Sequence, residues 1–164
     1  MSRRASGSWT WRPGIGEPAL TAVAVVGPTG RVVGVDPAPG LLALARERAA
    51  GAGHVEFHQA AAGAGPLPRA PFDAAVCRWG PMLRPDPDAA ARAVREALRP
   101  GGVIAAAAWG TATQVPLLSL PRGAVAAHVE VPPADPLAPG PIRLGEPGAL
   151  AAVLETAGFV HVAS

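Results

Sequence analysis

The stretch Arg31-Val32-Val33-Gly34-Val35-Asp36 decides the fold, because it is a short apolar run that ends on one acid. Upstream lie Gly14-Ile15-Gly16 and a helix-like segment, and a second helix-like segment opens at Pro39. A glycine loop, a helix, a strand and a strand-end acid, in that order, are typical of a nucleoside-binding βαβ unit. The glycines allow the backbone to approach a ligand, and the acid can accept two hydrogen bonds from a ribose diol.

Strand-like and helix-like segments alternate along the rest of the chain. Residues 72–77, 103–109 and 159–163 read as further strands. Residues 111–146 are the least readable part: a helix broken by prolines is one interpretation of residues 115–129, and residues 131–141 read as a proline-rich loop. Strands that alternate with helices predict an α/β fold with a Rossmann-like, doubly wound, mostly parallel sheet. The 164 residues suit one domain with a real core.

Composition excludes several classes of protein. All 14 basic residues are arginines scattered among acids, which favours solvated helix faces over a nucleic-acid partner. The single cysteine, Cys77, excludes a disulfide framework, and no third ligand joins His54 and His58, so no metal site is expected. No signal peptide or bilayer-spanning run is recognisable, so we expect a cytoplasmic protein without a membrane partner.

Four stretches, in order and at matching spacing, resemble the class I S-adenosylmethionine-dependent methyltransferases. The nearest group within them is the methyltransferase type 11 or ubiquinone/menaquinone-biosynthesis-like group. The matching stretches are residues 14–20 (GIGEPAL), 30–36 (GRVVGVD), 72–80 (FDAAVCRWG) and 98–102 (LRPGG). The likeness covers roughly residues 14 to 163, so we divide the chain into an atypical segment 1–13 and a methyltransferase domain 14–164.

The resemblance implies a seven-stranded sheet with S-adenosylmethionine across the carboxyl ends of its first strands. It implies in-line methyl transfer to a small-molecule acceptor, without a universal catalytic side chain, so the catalytic residues are unknown. Residues 77–79 would face the transferred methyl group, and residues 111–146 would help to cover the acceptor. The cofactor-binding positions that it implies are Gly14, Gly16, Asp36, Pro37, Ala61 and Arg78.

Two tryptophans accompany this predicted edge of the sheet. Trp79 and Trp109 each come just after a strand. Residues at such positions either line a pocket or serve as packing, and the sequence leaves both open.

Three features depart from the family pattern. Ala61 stands where the family usually has an acid near the adenine amino group, and the loss of one such hydrogen bond costs about 1 kcal/mol. The first strand lacks its acid, because Trp9-Thr10-Trp11-Arg12-Pro13-Gly14 stands in place of apolar-Asp/Glu-apolar-Gly/Ala-small-Gly. A final edge strand after residues 159–163 is missing. We therefore expect an incomplete first strand and a missing last strand.

The altered first strand suggests a shifted reading frame. Starting each codon one base earlier across residues 9–13 yields an apolar residue, Asp, an apolar residue, Ala and a small residue, which is the missing motif. We hypothesise that the residues before about Gly14 are read out of frame. Chance is the alternative, and the nucleotide sequence decides between the two.

Two other functions compete with an active methyltransferase. A truncated or frameshifted remnant would bind the cofactor weakly or not at all, and the altered first strand and Ala61 favour it. An NAD(P)-binding Rossmann oxidoreductase would share the glycine loop and Asp36, but residues 98–102 argue against it.

Overall fold

The computed structural model describes residues 7–61, 65, 67–133, 135 and 137–164. The strands, in chain order, are β1 (Gly7–Trp11), β2 (Arg31–Asp36), β3 (Val55–Gln59), β4 (Phe72–Arg78) and β5 (Leu98–Ala107). They form one sheet in the order β3-β2-β1-β4-β5, and every pairing is parallel. The predicted α/β architecture is therefore confirmed.

Helices connect the strands and cover the sheet. They are α1 (Ala19–Val26), α2 (Pro39–Arg48), α3 (Pro87–Ala97), α4 (Pro116–Ala126) and α5 (Ala149–Thr156), with a 3-10 turn at Pro81–Leu83. The start of α3 shows why these segments are helical: the Asp86 side chain accepts a hydrogen bond from the Ala89 N–H at 2.8 Å, and Pro87 occupies the first turn.

The first strand lies at the centre of the sheet although its residues are atypical. β1 pairs with β2 along its whole length, from Gly7 opposite Arg31 to Trp11 opposite Val35, and it pairs with β4 on its other side. A parallel ladder uses backbone groups, so the departure of β1 from the family pattern is one of side chains and not of pairing. Thr10, at the position of the family acid, is fully buried, and its hydroxyl has no hydrogen-bond partner among the described residues.

The strand predicted at residues 159–163 is wrong. Gly158, with φ of 89°, ends α5 and turns the chain back, and the Phe159 N–H then donates to the Leu154 carbonyl at 3.1 Å. Phe159 packs on the cluster between α3 and α5 instead of extending the sheet. β5 is consequently the outermost strand on its side, and a cleft of about 470 Å³ separates it from the last residues. The described residues thus contain five of the seven strands that the resemblance implies.

Two apolar clusters hold the helices on the sheet. One joins α3 to the middle of the sheet, and its fully buried members are Val33, Val35, Phe72 and Val94. The other joins α1 and α2 to β2 and β3, and its fully buried members are Ala19, Val32, Leu42 and Ala45. Side chains of β2 belong to both clusters, so β2 is covered on both faces, as its continuous apolar run predicts.

Candidate functional site

Asp36 lies at the carboxyl end of β2, where the loop after β1 comes beside it. The register pairs Trp11 with Val35, so the chain leaves β1 next to the end of β2. The Gly14 N–H donates to Asp36 Oδ2 at 3.2 Å, and the Ala38 N–H donates to Oδ1 at 2.9 Å. Asp36 is 1% exposed, so its carboxylate is buried and oriented by two backbone donors.

The two glycines of the loop have different roles. Gly14 has φ of 55°, and a Cβ atom there would meet no atom of the described residues within 4 Å. Gly16 has φ of 116°, and its Cβ would lie 3.0 Å from Leu20 Cδ1. The Gly16 N–H donates to the Pro13 carbonyl at 2.9 Å and closes a turn. Gly14 therefore borders open space, whereas Gly16 shapes the loop.

Arg12 and Pro13, which stand where the family pattern has Gly/Ala and a small residue, belong to this loop. Arg12 has φ of 56°, a conformation that non-glycine residues adopt only at a cost. Pro13 is fully buried and packs on β2 at Gly34, where a Cβ atom would lie 3.0 Å from Pro13 Cγ. Pro13 has no N–H, and the neighbouring Gly14 supplies the donor to Asp36.

The end of β3 meets the end of β2 beside Asp36. The Ala60 N–H donates to the Asp36 carbonyl at 3.3 Å, and the Gln59 side-chain amide donates to the Pro37 carbonyl at 3.3 Å. Ala61 follows, half-buried, with only a methyl group to offer. The structure thus places Pro37 and Ala61 at the same edge as Asp36, and their roles toward a ligand stay predictions.

Arg78 ends β4, and β1 separates β4 from β2. Its guanidinium carbon lies 4.7 Å from the centroid of the Trp79 ring, a cation–π contact. Trp79 stacks on Trp109 with centroids 4.6 Å apart and an interplanar angle of 9°. Trp79 is left-handed, with φ of 60°, and its N–H donates to the Ala107 carbonyl at 2.8 Å. Sequence reasoning named both tryptophans but had no signal for the stack, which depends on the pairing of β4 with β5.

Cys77, Gly80 and the Trp11 ring pack tightly against one another where β4 ends. A Cβ atom at Gly80 would overlap the Sγ of Cys77 and would lie 3.3 Å from the Trp11 ring. Burial raises the pKa of the Cys77 thiol to about 12. Cys77 is therefore a neutral packing residue at physiological pH, and not a nucleophile.

Residues 140–145 form a strap over the loop that follows β4. The Arg143 guanidinium donates to the carbonyls of Arg84 and Pro85, in the latter case at 3.1 and 3.2 Å. Charge-assisted bonds of this kind tie the strap to the β4 side of the sheet. Sequence analysis assigned residues 111–146 to an acceptor cover but gave no signal for Arg143, since its partners are backbone carbonyls.

Neither a metal centre nor a membrane span is found in the described part of the chain. It contains no group of three or more His, Cys, Asp or Glu side chains that would hold a metal ion. Within the same residues, no helix has the length and apolar character needed to cross a membrane.

A protein family and several solved structures resemble this chain. The family model described as a methyltransferase domain matches residues 13–102, which is more than half of the chain. No curated protein matches the chain. An S-adenosylmethionine-dependent methyltransferase from Aquifex aeolicus has 17% identity and a TM-score of 0.68, over 93% of this chain and 71% of its own.

Two further solved structures share the fold. The S-adenosylmethionine-dependent methyltransferase SibL has 23% identity and a TM-score of 0.65, over 98% of this chain and 46% of its own. The [4+2]-cyclase SpnF has 20% identity and a TM-score of 0.65, over 94% of this chain and 50% of its own. The chain thus spans about half the length of these two proteins. The fold class, the strand-end acid beside a glycine loop and the family match agree: the chain belongs to the class I S-adenosylmethionine-dependent methyltransferases.

Proposed function

We propose that this chain binds S-adenosylmethionine at the Asp36 edge and directs its methyl group to a small-molecule acceptor. The observation that carries the proposal is the approach of the Gly14 loop to Asp36 at the carboxyl end of β2. In open α/β sheets, ligands bind at this edge, and the strand-end acid receives the ribose hydroxyls. Gly14, Gly16 and Pro37 would line the ribose and methionine side.

The donor set at Asp36 fits a ribose diol. Each carboxylate oxygen accepts one backbone N–H bond and retains a lone pair for a hydroxyl donor. Open space borders Gly14, where no described side chain would block a ligand. Because Asp36 is only 1% exposed, binding of the diol would require the loop of residues 12–16 to shift outward.

The adenine side of the proposed site lacks a side-chain hydrogen-bond acceptor at Ala61. Ala61 lies at the edge with a methyl group where an acceptor for the adenine amino group would stand. The missing bond weakens binding by about 1 kcal/mol, or roughly fivefold in affinity, and does not abolish it.

The chain contributes position and exclusion of water to the reaction. Bound S-adenosylmethionine supplies an electrophilic methyl group on a sulfonium. In-line transfer depends chiefly on holding the acceptor at the correct distance and angle in a desolvated site. In this proposal the strap held by Arg143 and the residues that end β4 would do this, and we assign no catalytic side chain.

Two alternatives compete with this function, and the observations bear on them differently. Three features would support a remnant without activity: the burial of Asp36, the strained backbone of Arg12, and the alanine at position 61. An NAD(P)-dependent oxidoreductase is disfavoured by the family match over residues 13–102. A cytoplasmic location and the absence of nucleic-acid or membrane partners stay predictions from composition.

We also propose the division of the chain at about residue 13. The family match starts at Pro13, and the buried Thr10 hydroxyl lacks a described partner where the family has an acid, both of which support a shifted frame before Gly14. The coding sequence tests this directly. The Asp at position 10 of the shifted frame is forced by Trp9-Thr10, so the bases upstream decide: if they do not encode a family N-terminus in that frame, the shift is refuted.

Calorimetric titration with S-adenosylmethionine, S-adenosylhomocysteine and NADH tests the proposed function. We expect both S-adenosyl compounds to bind and NADH not to bind. Asp36→Asn should weaken their binding about tenfold, because it removes the charge from an acceptor of two hydroxyls. Asp88→Asn, on the first turn of α3, is the matched control and should leave affinity unchanged.

Each other outcome has a distinct meaning. Unchanged affinity in a folded Asp36→Asn variant would contradict the site. Binding of NADH alone would indicate an oxidoreductase, and binding of none of the three would indicate the remnant.

A further inference from the structure

We propose that the stacked pair Trp79 and Trp109, with the guanidinium of Arg78, binds the methyl acceptor, and that the acceptor is a planar aromatic acid. The inference rests on the proposed function, because it assigns these residues to the acceptor side of the same sheet edge. It goes further by naming the chemical class that this edge recognises.

The position of the stack is the first argument. Trp79 follows β4 directly, and its N–H bond to Ala107 ties it to the end of β5. β4 also pairs with β1, whose following loop carries the Gly14 donor to Asp36. Because the carboxyl ends of parallel strands meet at one edge, the stack and Asp36 lie on the same side of the sheet.

The shape of the stack is the second argument. The two indole rings are nearly parallel, and Trp79 remains 38% exposed, with Trp109 on one face of its ring and the Arg78 guanidinium 4.7 Å from its centroid. A flat apolar surface would become available on Trp79 when the guanidinium turns from the ring to an anionic group. Trp79 also holds a left-handed backbone conformation, a strain that clusters at functional sites. A planar ring extends such a stack with the offset geometry that aromatic pairs prefer.

The charge around the stack is the third argument. Arg78 is exposed and lies over the Trp79 ring. Residues 74–84 carry Arg78 and Arg84 and no acid, and residues 108–120 carry no charged side chain. An anionic group on the acceptor thus finds a guanidinium for a bidentate bond, whereas a cationic amine finds no counter-ion in these segments.

Fluorescence and calorimetric titration with three probes tests the proposal. The probes are naphthalene-2-carboxylate, its neutral carboxamide and cyclohexanecarboxylate. We expect the naphthoate to bind most tightly. Arg78→Gln should weaken naphthoate about tenfold and the carboxamide less than about twofold, because it removes only the charge-assisted bond. Arg78→Lys should recover part of the loss, and Arg92→Gln, on the exposed face of α3, should change nothing.

The ring contribution is tested separately. Trp79→Leu should weaken both naphthyl probes about tenfold, since a stacked ring is lost, and should leave cyclohexanecarboxylate unchanged. Trp109→Leu gives the same test if leucine is not tolerated at the left-handed position. Equal binding of acid and carboxamide, or equal loss of both in Arg78→Gln, would overturn the proposal.

S-Adenosylhomocysteine binding by the same variants separates this inference from the function on which it rests. It should be unaffected by Trp109→Leu, because Trp109 is not one of the cofactor-binding positions that the resemblance implies. If the wild-type chain binds naphthoate selectively but does not bind S-adenosylhomocysteine, the proposed function fails and the aromatic-acid site stands. If S-adenosylhomocysteine binds and naphthoate is not selected, the acceptor class is wrong and the function stands.

Discussion

β2 and β5 are both apolar strands of one sheet, yet their surroundings are opposite. Five of the six residues of β2 are buried, whereas Leu98 alone is buried among the ten of β5. α2 buries Leu42 and Ala45 against its side of the sheet, but none of the described residues of α4 is buried. The Asp36 side of the molecule is therefore a packed core, and the side of β5 and α4 is largely surface.

The difference follows from where each strand lies in the sheet. β2 has neighbours on both sides and helices over both faces, so its apolar side chains leave water. β5 is outermost, and Val103 is 63% exposed. Hydrophobic stabilisation depends on the apolar area removed from water, so similar sequences contribute very different free energies in the two strands.

Valine-to-alanine substitutions in β2 and in β5 should differ most in their effect on the free energy of unfolding. Val33→Ala should lower the free energy of unfolding by about 2 to 3 kcal/mol, because it removes buried methyl groups and leaves a cavity. Val103→Ala should lower it by less than about 0.5 kcal/mol. Urea unfolding of both variants measures the difference. Equal losses would show that the outer face of β5 is covered in solution.

The close packing of Gly80 against Cys77 and Trp11, at the ends of β4 and β1, is tested by Gly80→Ala. The added Cβ overlaps the Sγ of Cys77, so we expect a loss of about 1 to 3 kcal/mol in the free energy of unfolding. In a Cys77→Ala background the loss should shrink, because the clashing sulfur is gone. Gly40→Ala is the control: its Cβ meets no described atom within 4 Å in α2, and it should stabilise by about 0.5 to 1 kcal/mol. An undiminished loss in the double variant would refute the contact.

Below about pH 9, the smallest effect is expected from the ionisation of Cys77. Burial raises the pKa of its thiol from the ordinary value of about 9 to about 12 in the folded chain. The stability that depends on the neutral thiol is therefore fully present below about pH 9 and is lost as the pH rises toward 12. Alkylation by iodoacetamide at pH 8.5 should be slow in the native protein and fast in urea. Rapid alkylation of the native protein would show that the Cys77 thiol is accessible to solvent.

Sequence reasoning was most accurate where packing agrees with local pattern. The run that ends at Asp36 is a buried strand, and the Asp86 cap begins α3, because alternation of apolar runs and cap residues reports the local structure directly. Residues 159–163 also look like a strand, but Gly158 turns them back on α5. A strand needs a neighbour to pair with, and the pattern of one segment contains no information about its neighbours.

The sequence by itself determined the class of fold, the order of strands and helices from β1 to β5 and the identity of the acid at the end of β2. It did so because glycine loops, apolar runs and a strand-end carboxylate are local features with local physical causes. Only the tertiary structure decided that Asp36 is buried under the Gly14 N–H, that Trp79 stacks on Trp109, and that Arg143 reaches the β4 loop. Each of these contacts joins residues at least 22 positions apart, and the register of the sheet brings the first two together.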